Sequence, residues 1–380
     1  MKVLYDFQAF NMQRFGGISN CFVQLMSHLP NDIEAMVGLK GSSNIHLKNS
    51  KLYPHDRRIY LPENCNWMGN YIYQKLQWHC KKLFPTPENS NMDYSIRLMN
   101  EGNYDILHPT YFHSYFLEHN TKPFVVTIHD MIPEIYNFDD NQVRGKQEQI
   151  NKATHIIAVS ENTKNDIVKI LGINPDKVTV IYHGYTPKNM NNNGKPLIEA
   201  PYILFVGTRW FYKKFDYFLQ QVKSFIDKHS DYKIVCTGSK FRDDEMELIQ
   251  SLGLKNKVIQ RFCTDWEIEN LYQHAFAFVF PSEYEGFGIP ILEAFSARCP
   301  TILNNKSCFP EIAQDGALYF DSDDDGSTLH MRLEELYAMT DSERKKLLAR
   351  ATKRLLDFSW KKSAEKLAEV YRKVYNEHYV

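Results

Sequence analysis

Residues 280–294 read FPSEYEGFGIPILEA, and this stretch decides the fold. An apolar run that is typical of a buried strand ends at Phe280, and a helical pattern starts next to Pro290, a residue suited to the first turn of a helix. Gly286 and Gly288 lie between them, where glycine allows the backbone to approach a ligand closely. A strand followed by such a loop and a helix start indicates a parallel sheet with an anion-binding edge.

The same alternation of short apolar runs and helical patterns extends along nearly the whole chain, as expected for parallel strands covered by helices. In the first half it predicts strands at residues 3–7, 106–108, 124–128, 156–159 and 178–181. In the second half it predicts strands at residues 202–206, 233–237, 258–262, 277–280 and 301–303. The sequence therefore predicts an α/β protein with two doubly wound sheets.

An Asn-rich segment with Gly194, bounded by Pro187 and Pro196, indicates a linker between the two sheets. It divides the chain into an N-terminal domain at residues 1–185, a linker at 186–200 and a C-terminal domain at 201–359. Residues 360–380 carry apolar positions at helical spacing, which predicts a C-terminal helix that packs back onto the first domain.

Composition and charge exclude several classes of protein. The chain has 45 basic and 46 acidic residues, so it lacks the basic field of a nucleic-acid binder. Its seven cysteines contain no C-x-x-C pair, which favours a cytoplasmic protein without a structural zinc site. Residues 67–84 interleave aromatic residues with lysines. They predict either a helix packed on its own domain or a peripheral contact with the inner face of the cytoplasmic membrane.

Ligands of open parallel sheets bind beyond the carboxyl ends of the strands. Glu285 and Glu293 follow one such strand, and two carboxylates around one cavity suit the hydroxyls of a sugar or ribose. Arg209 and Lys213 follow the strand at 202–206, where they would neutralise a diphosphate. The alternative is a solvated loop with incidental cations.

In the first domain, His129 and Asp130 end a strand, so His129 is either a hydrogen-bond partner for a substrate hydroxyl or an ordinary structural histidine. Asp130 is also a candidate helix cap. Gly17 belongs to a Gly-Gly pair after the first strand, where backbone amides would face a phosphate. The acidic run at 321–326 resembles half of an EF-hand loop, but Arg332 stands where calcium requires Glu, so no metal site is predicted.

Four segments, which lie in this order at residues 14–19, 127–133, 206–213 and 282–293, resemble the retaining glycosyltransferases of family 4, in particular mannosyltransferases and rhamnosyltransferases of bacterial surface polysaccharides. The similarity extends to residues 159–164 and 308–311, and it is weakest between residues 40 and 100. It implies the GT-B fold, two Rossmann-like domains facing a central cleft. Many members have Arg-Lys-Asn where this chain has Tyr212-Lys213-Lys214, so Arg209 takes the place of the phosphate-binding arginine.

The resemblance also implies a role for each site residue. The reaction would use a nucleoside-diphosphate sugar, with a GDP-, UDP- or dTDP-linked sugar left open, and a glycan or lipid-linked saccharide as acceptor, without metal or other cofactor. In the second domain, Glu293 would bind the ribose, Glu285 would lie by the donor sugar, and Arg209 and Lys213 would bind the diphosphate. Backbone amides of Phe287, Gly288 and Ile289 would donate to sugar hydroxyls or phosphate. In the first domain, Gly17 would approach the diphosphate closely, and His129 would contact the transferred sugar.

Three alternatives stay open at this point. A nucleotide-sugar epimerase of the same architecture would convert the donor without an acceptor. A non-catalytic glycan-binding protein would have no use for phosphate-binding cations. A hydrolase using Glu285 and Glu293 as acid and nucleophile would leave Arg209 and Lys213 unexplained.

Overall fold

The computed structural model describes residues 1–53, 87–137, 140–187, 194–324 and 328–380. These residues form two compact units. Unit 1 comprises residues 1–159, 163–184 and 360–380, and unit 2 comprises residues 160–162 and 185–359. The segment 67–84 and residues 188–193 of the predicted linker lie outside the described residues.

The sheet strands of unit 1 pair in parallel throughout the described residues. One ladder has the order β2-β1-β3 and a second has the order β4-β5-β6, and a parallel bridge joins Leu107 to Phe124 between them. Because parallel strands all end at one edge, the residues after β1 and β4 lie on the same side of the sheet. The strands are β1 (Lys2–Tyr5), β2 (Glu34–Val37), β3 (Ile106–His108), β4 (Val125–Ile128), β5 (His155–Ala158) and β6 (Val178–Val180).

Helices alternate with these strands and cover the sheet. Helix α2 contributes Phe22 and Met26 to a core that also contains Val3 and Tyr5 of β1. The helices are α1 (Gln8–Met12), α2 (Gly17–Ser27), α3 (Ile45–Lys48), α4 (Pro87–Glu101), α5 (Ile132–Tyr136), α6 (Asp140–Lys152) and α7 (Glu161–Leu171).

Unit 2 contains a parallel sheet of six strands in the order β12-β11-β10-β7-β8-β9. The strand order reverses between β7 and β10, which pair directly with one another. This reversal is the switch point at which open α/β sheets bind ligands, because the loops after the two strands diverge to opposite faces. The strands are β7 (Tyr202–Phe205), β8 (Lys233–Thr237), β9 (Val258–Arg261), β10 (Ala277–Phe280), β11 (Thr301–Asn304) and β12 (Leu318–Phe320).

The helices of unit 2 bury one face each against this sheet. Helix α8 is the clearest case, since Phe218, Val222 and Phe225 are fully buried at helical spacing. The helices are α8 (Phe215–Lys228), α9 (Asp243–Ser251), α10 (Asp265–His274), α11 (Ile289–Ser296), α12 (Phe309–Ala313), α13 (Leu329–Ala338) and α14 (Asp341–Leu355).

The C-terminal helix α15 (Trp360–Tyr379) belongs to unit 1. Its residues Ala364, Leu367 and Tyr371 join the same core as strand β1. The Tyr371 hydroxyl also forms hydrogen bonds with the Tyr5 hydroxyl at 2.6 Å and with His108 Nδ1 at 2.5 Å. The end of the chain is thus built into the centre of the N-terminal sheet.

The α/β fold class and every strand position named from the sequence are confirmed, and the sequence missed only β2 and β12 among the described strands. Both lie at sheet edges, where neither is sandwiched between two neighbours. Strand β2 begins with the exposed Glu34 and has three partly buried residues, so it lacks the fully apolar run that marked the central strands.

Candidate active site

Two of the predicted site residues, Lys213 and Glu285, form a direct ion pair in unit 2. Lys213 ends a short 3-10 turn after β7, and Glu285 lies in the loop after β10. Their side chains are 15% and 13% exposed, so the pair is largely screened from water but still reachable. The Lys213 ammonium also lies 5.4 Å from the centre of the Phe280 ring. The switch point therefore carries a partly buried cation held against a carboxylate.

Backbone and side-chain contacts fix the two loops that carry this pair. The Glu283 amide donates to the Tyr212 carbonyl oxygen at 2.8 Å, and Lys214 Nζ lies 2.7 Å from a Glu283 carboxylate oxygen. The Ser307 hydroxyl donates to the Glu285 carbonyl oxygen at 2.7 Å and accepts from the Glu285 amide at 3.2 Å. The loop that carries Lys213 and the loop that carries Glu285 are therefore both fixed by hydrogen bonds or ion pairs.

Helix α11 begins immediately after this loop. Gly288 has φ +86°, and a methyl group there would lie 3.1 Å from Ile291 Cδ1 and 3.2 Å from the Phe309 ring. Only glycine fits this left-handed, crowded position without strain. Phe287 is buried against the Phe358 ring, and Ile289 is the first helical residue. The predicted amides therefore lie at a helix start, where N–H groups lack intrahelical acceptors and attract anions.

Glu293 lies one turn into α11 and has partners of its own, separate from those of Glu285. The hydroxyl of the buried Tyr272 donates to Glu293 Oε2 at 3.2 Å. Burial raises the pKa of the neighbouring Tyr185 to about 12. A hydrogen bond with Ser296 opposes this rise, and the negative charge of Glu293 adds to it. Glu293, Tyr185 and Tyr272 line one small cavity. Two phenol groups thus surround the carboxylate assigned to the ribose.

Arg209 differs from the expectation that it projects freely toward a diphosphate. Its side chain is 1% exposed, and its Nε donates to Glu245 at 3.0 Å. Its Nη2 donates to the carbonyl oxygens of Ser239 at 2.7 Å and Lys240 at 2.9 Å. Of the three guanidinium nitrogens of Arg209, Nη1 is the one that is buried without a hydrogen-bond partner among the described residues. Through the bonds to Ser239 and Lys240, the arginine holds the loop after β8 in place, and it shares the Glu245 carboxylate with Arg242.

His129 follows β4 in unit 1. Its ring packs edge-on against Phe22 and is stacked on His183 with the centroids 5.7 Å apart. Burial and the charge of Lys146 lower the pKa of His129 to about 4, so the imidazole is neutral at physiological pH. Its Nε2 has no hydrogen-bond partner among the described residues. Asp130 Oδ1 accepts from the Ile132 amide at 3.0 Å, one residue before the N-cap position of the next helix, which Met131 occupies.

Gly17 is the first residue of α2 and is exposed, and a methyl group there would meet nothing within 4 Å. The preceding Gly16 is the crowded one, because a methyl group would lie 2.1 Å from Gln13 Oε1. The open surface at Gly17 leaves room for a ligand at the helix start.

Sequence reasoning missed Tyr272, Ser307, Glu245 and the buried Lys146. Of these four, only Glu245 has a local pattern in the sequence that could have indicated a structural role. It follows Arg242 by three residues at the start of α9, the position of an acidic capping residue. Within the described part of the chain, no group of three or more His, Cys, Asp or Glu side chains is arranged to hold a metal ion. The helices of that part include none with the length and apolar character needed to cross a membrane.

Two family models match adjoining parts of the chain. The model of the group 1 glycosyl transferases matches residues 188–354, and the model of glycosyltransferase family 4 matches residues 54–189. The first therefore covers the Lys213–Glu285 pair and helix α11, and the second covers His129.

Curated relatives point to the same family. An O-antigen chain mannosyltransferase of Salmonella typhimurium is 28% identical over 55% of this chain and 61% of its own length. The O-antigen chain mannosyltransferase B of Escherichia coli is 26% identical over 68% of this chain and 72% of its own length. The chain thus spans about three fifths of the Salmonella relative, 61% of its length.

Solved structures share the fold at low sequence identity. Anabaena HepE in complex with UDP and glucose has a TM-score of 0.72 at 16% identity and covers 98% of this chain and 100% of HepE. A glycosyltransferase of Rickettsia africae has a TM-score of 0.67 at 17% identity and covers 98% of both chains. Since the two family models together run from residue 54 to residue 354, the chain belongs to the family 4 glycosyltransferases, with two Rossmann-like units of the GT-B fold.

Proposed function

We propose that this protein is a retaining glycosyltransferase that moves a hexose from a nucleoside diphosphate to a hydroxyl group of a glycan or lipid-linked saccharide. The observation that carries the proposal is the Lys213–Glu285 pair at the switch point of unit 2, next to the start of helix α11. A cation and a helix amino end suit a diphosphate, and a carboxylate suits sugar hydroxyls. The family membership supports a transferase over the epimerase and binding-protein alternatives.

Lys213 has the central role in this proposal. Its ammonium carries three donors, so it can keep its contact with Glu285 and donate to a phosphate oxygen at the same time. Negative charge grows on the departing phosphate as its bond to the sugar breaks, and a fixed cation in a partly buried loop stabilises that charge. Lys213→Ala therefore lowers the transfer rate by several orders of magnitude in our account.

The proposed chemistry proceeds on one face of the sugar. The bond between the anomeric carbon and the phosphate oxygen breaks, and the acceptor oxygen forms its bond on the same face. The departing phosphate takes the proton of the acceptor hydroxyl, so neither Glu285 nor Glu293 has to act as a general base. Lys213 and the start of α11 supply the positive potential that a metal ion supplies in other transferases, which makes the reaction independent of metal.

In unit 1, we assign His129 to the hydroxyls of the transferred sugar. Its neutral ring carries one donor and one acceptor nitrogen, and its Nε2 is without a hydrogen-bond partner among the described residues. A neutral ring also adds no positive charge beside an oxocarbenium-like sugar. Its low pKa, set mainly by burial, thus suits the proposed contact.

The substrates are proposed from the relatives. Two of them are named as O-antigen chain mannosyltransferases, so we propose a mannose donor and a growing bacterial surface polysaccharide as acceptor. We further propose that the protein works at the inner face of the cytoplasmic membrane, with residues 67–84 as its contact. Sedimentation with anionic vesicles tests that contact, and replacing the lysines at 75, 81 and 82 by Ser would reduce it.

The test of function is a transfer reaction with GDP-mannose, UDP-glucose and dTDP-rhamnose, each with a lipid-linked oligosaccharide acceptor and with EDTA present. We expect release of the nucleoside diphosphate with one donor and only with acceptor. Proton NMR of the product should show the anomeric configuration of the donor. Conversion of a donor without acceptor would favour the epimerase instead, and an inverted product would refute the retaining mechanism.

A further inference from the structure

Unit 1 contains a buried ion pair that the proposed chemistry does not use. Lys146 on α6 and Glu134 on α5 have side chains 0% and 2% exposed, and their charged atoms lie 2.8 Å apart. The Lys146 ammonium also lies 5.0 Å from the centre of the Phe112 ring. A lysine is almost never buried to this extent without a specific partner.

The second contact of Lys146 is the one that matters for the site. Its ammonium donates to the carbonyl oxygen of Asp130 at 3.0 Å. Asp130 directly follows His129, and its carboxylate accepts from the Ile132 amide where α5 begins. The ammonium therefore joins the backbone next to His129 to a carboxylate on the following helix, and it fixes both sides of this loop.

The approach of α6 to the neighbouring loop is also fixed. A methyl group at Gly145 would lie 2.2 Å from the carbonyl oxygen of Phe112. Glycine at this position lets the helix backbone approach closely enough for the next residue, Lys146, to reach Asp130 and Glu134. Gly145 and Lys146 together thus place the ammonium next to the loop that carries His129 and Asp130.

Stability alone does not explain this pair. Glu134 Oε1 is buried without a hydrogen-bond partner among the described residues, so the carboxylate is only partly satisfied. A buried ion pair with incomplete hydrogen bonding is commonly no more stable than two apolar side chains of the same size. The contact with Asp130, in contrast, has a geometric consequence that an apolar side chain would not reproduce.

We propose that Lys146 is a positioning residue for sugar transfer, which holds the loop that carries His129 through the Asp130 carbonyl and Glu134. The inference rests on the proposed function, because it takes His129 as the contact with the transferred sugar. Lys146 itself does not touch substrate in this scheme.

The test is the double variant Lys146→Met with Glu134→Leu, which removes both charges and leaves neither one buried alone. We expect it to fold, to keep the KM for the donor, and to lose kcat by on the order of 10²-fold, the effect of a misplacement of about 1 Å. The matched control is Lys152→Met with Glu148→Leu, an exposed pair on the same helix, which should keep both constants. A double variant with unchanged kcat would overturn the proposal.

A second variant covers a failure of the double variant to fold. Lys146→Ala leaves space for a small amine, and it is folded with propylammonium present so that Glu134 keeps a cationic partner. Propylammonium should restore kcat, while propanol of the same size should not. Equal effects of both additives, or of neither, would contradict a role of the positive charge.

A readout without substrate separates this inference from the proposed function. The groups around His129 that bear on its titration are the Lys146 ammonium on α6, whose charge lowers the His129 pKa, and the neutral rings of His183 and His108. Loss of the ammonium in the double variant should raise the midpoint of the His129 C2–H resonance on acid titration. If the wild type shows no transferase activity but the midpoint still rises in the double variant, only the proposed function is refuted. An equal midpoint in wild type and double variant would refute the positioning.

Discussion

Acidification should destabilise unit 1 well before its carboxylates titrate. Burial lowers the pKa of His108 and His183 to about 3 and those of His129 and His155 to about 4, and all four belong to unit 1. In the unfolded chain each imidazole has a pKa of about 6.5. Between roughly pH 6 and pH 5 these imidazoles therefore bind protons in the unfolded state but not in the native state, so the free energy of unfolding falls as the pH falls.

The size of the effect follows from the number of buried rings. Each ring that is neutral when folded and charged when unfolded contributes a slope of about 1.4 kcal/mol per pH unit. Four rings give about 5–6 kcal/mol per pH unit, a large share of the roughly 5–15 kcal/mol that stabilises a domain. The buried Asp6 offsets part of this slope, because burial raises its pKa and the native state takes up its proton.

Hydrogen exchange measures this slope in unit 1 alone. Exchange of the β1 and β4 amides, corrected for the intrinsic rate at each pH, gives the free energy of opening between pH 7 and pH 5. Replacing His183 by Leu removes one titrating ring and should reduce the slope by about 1.4 kcal/mol per pH unit. An opening free energy that stays flat down to pH 5, or an unchanged slope in His183→Leu, would show that the buried rings do not control the acid stability of unit 1.

Three further predictions concern unit 2. Gly288→Ala forces a side chain into a left-handed conformation and should lower the free energy of unfolding by about 1–2 kcal/mol in urea titration, and a wild-type stability would contradict the strain. Tyr272→Phe removes a hydrogen bond to Glu293 and should raise the KM for the donor about fivefold with kcat unchanged, whereas a lower kcat alone would speak against it. Arg209→Met removes the buried partner of Glu245 but leaves the carboxylate paired with Arg242, so it should cost about 1–3 kcal/mol in urea titration, and a wild-type stability would contradict the structural role of the guanidinium. Calorimetry of the folded variant with nucleotide shows whether donor binding survives without the guanidinium.

The fold could be predicted from the sequence because its central strands are buried on both faces. Each of them is a continuous apolar run, such as Tyr202–Phe205 or Ala277–Phe280, and a helical pattern follows. The edge strand β2 offered no such run. Helix α15 carried a clear apolar stripe, and its buried face is the one that the periodicity marked.

The candidate site was predictable where position alone determines it. Lys213 and Glu285 follow neighbouring parallel strands, so topology brings them together. Arg209 occupies an equally suggestive position, but its partner Glu245 is 36 residues away in sequence, and no local pattern reveals that pairing. Lys146 was missed for the same reason, because a single lysine in a helix reads as solvated until its burial is known.

The proposed function depends on the binding of the diphosphate of an activated sugar by the Lys213 ammonium. Calorimetric titration of GDP, UDP and dTDP into the protein with EDTA present tests it directly, with Lys213→Met as the variant and Lys214→Met, which removes the neighbouring ammonium paired with Glu283, as the control. We expect heat with at least one nucleotide, an affinity about 10- to 100-fold weaker in Lys213→Met, and little change in Lys214→Met. Absence of heat with all three nucleotides, or equal binding by wild type and Lys213→Met, would contradict it.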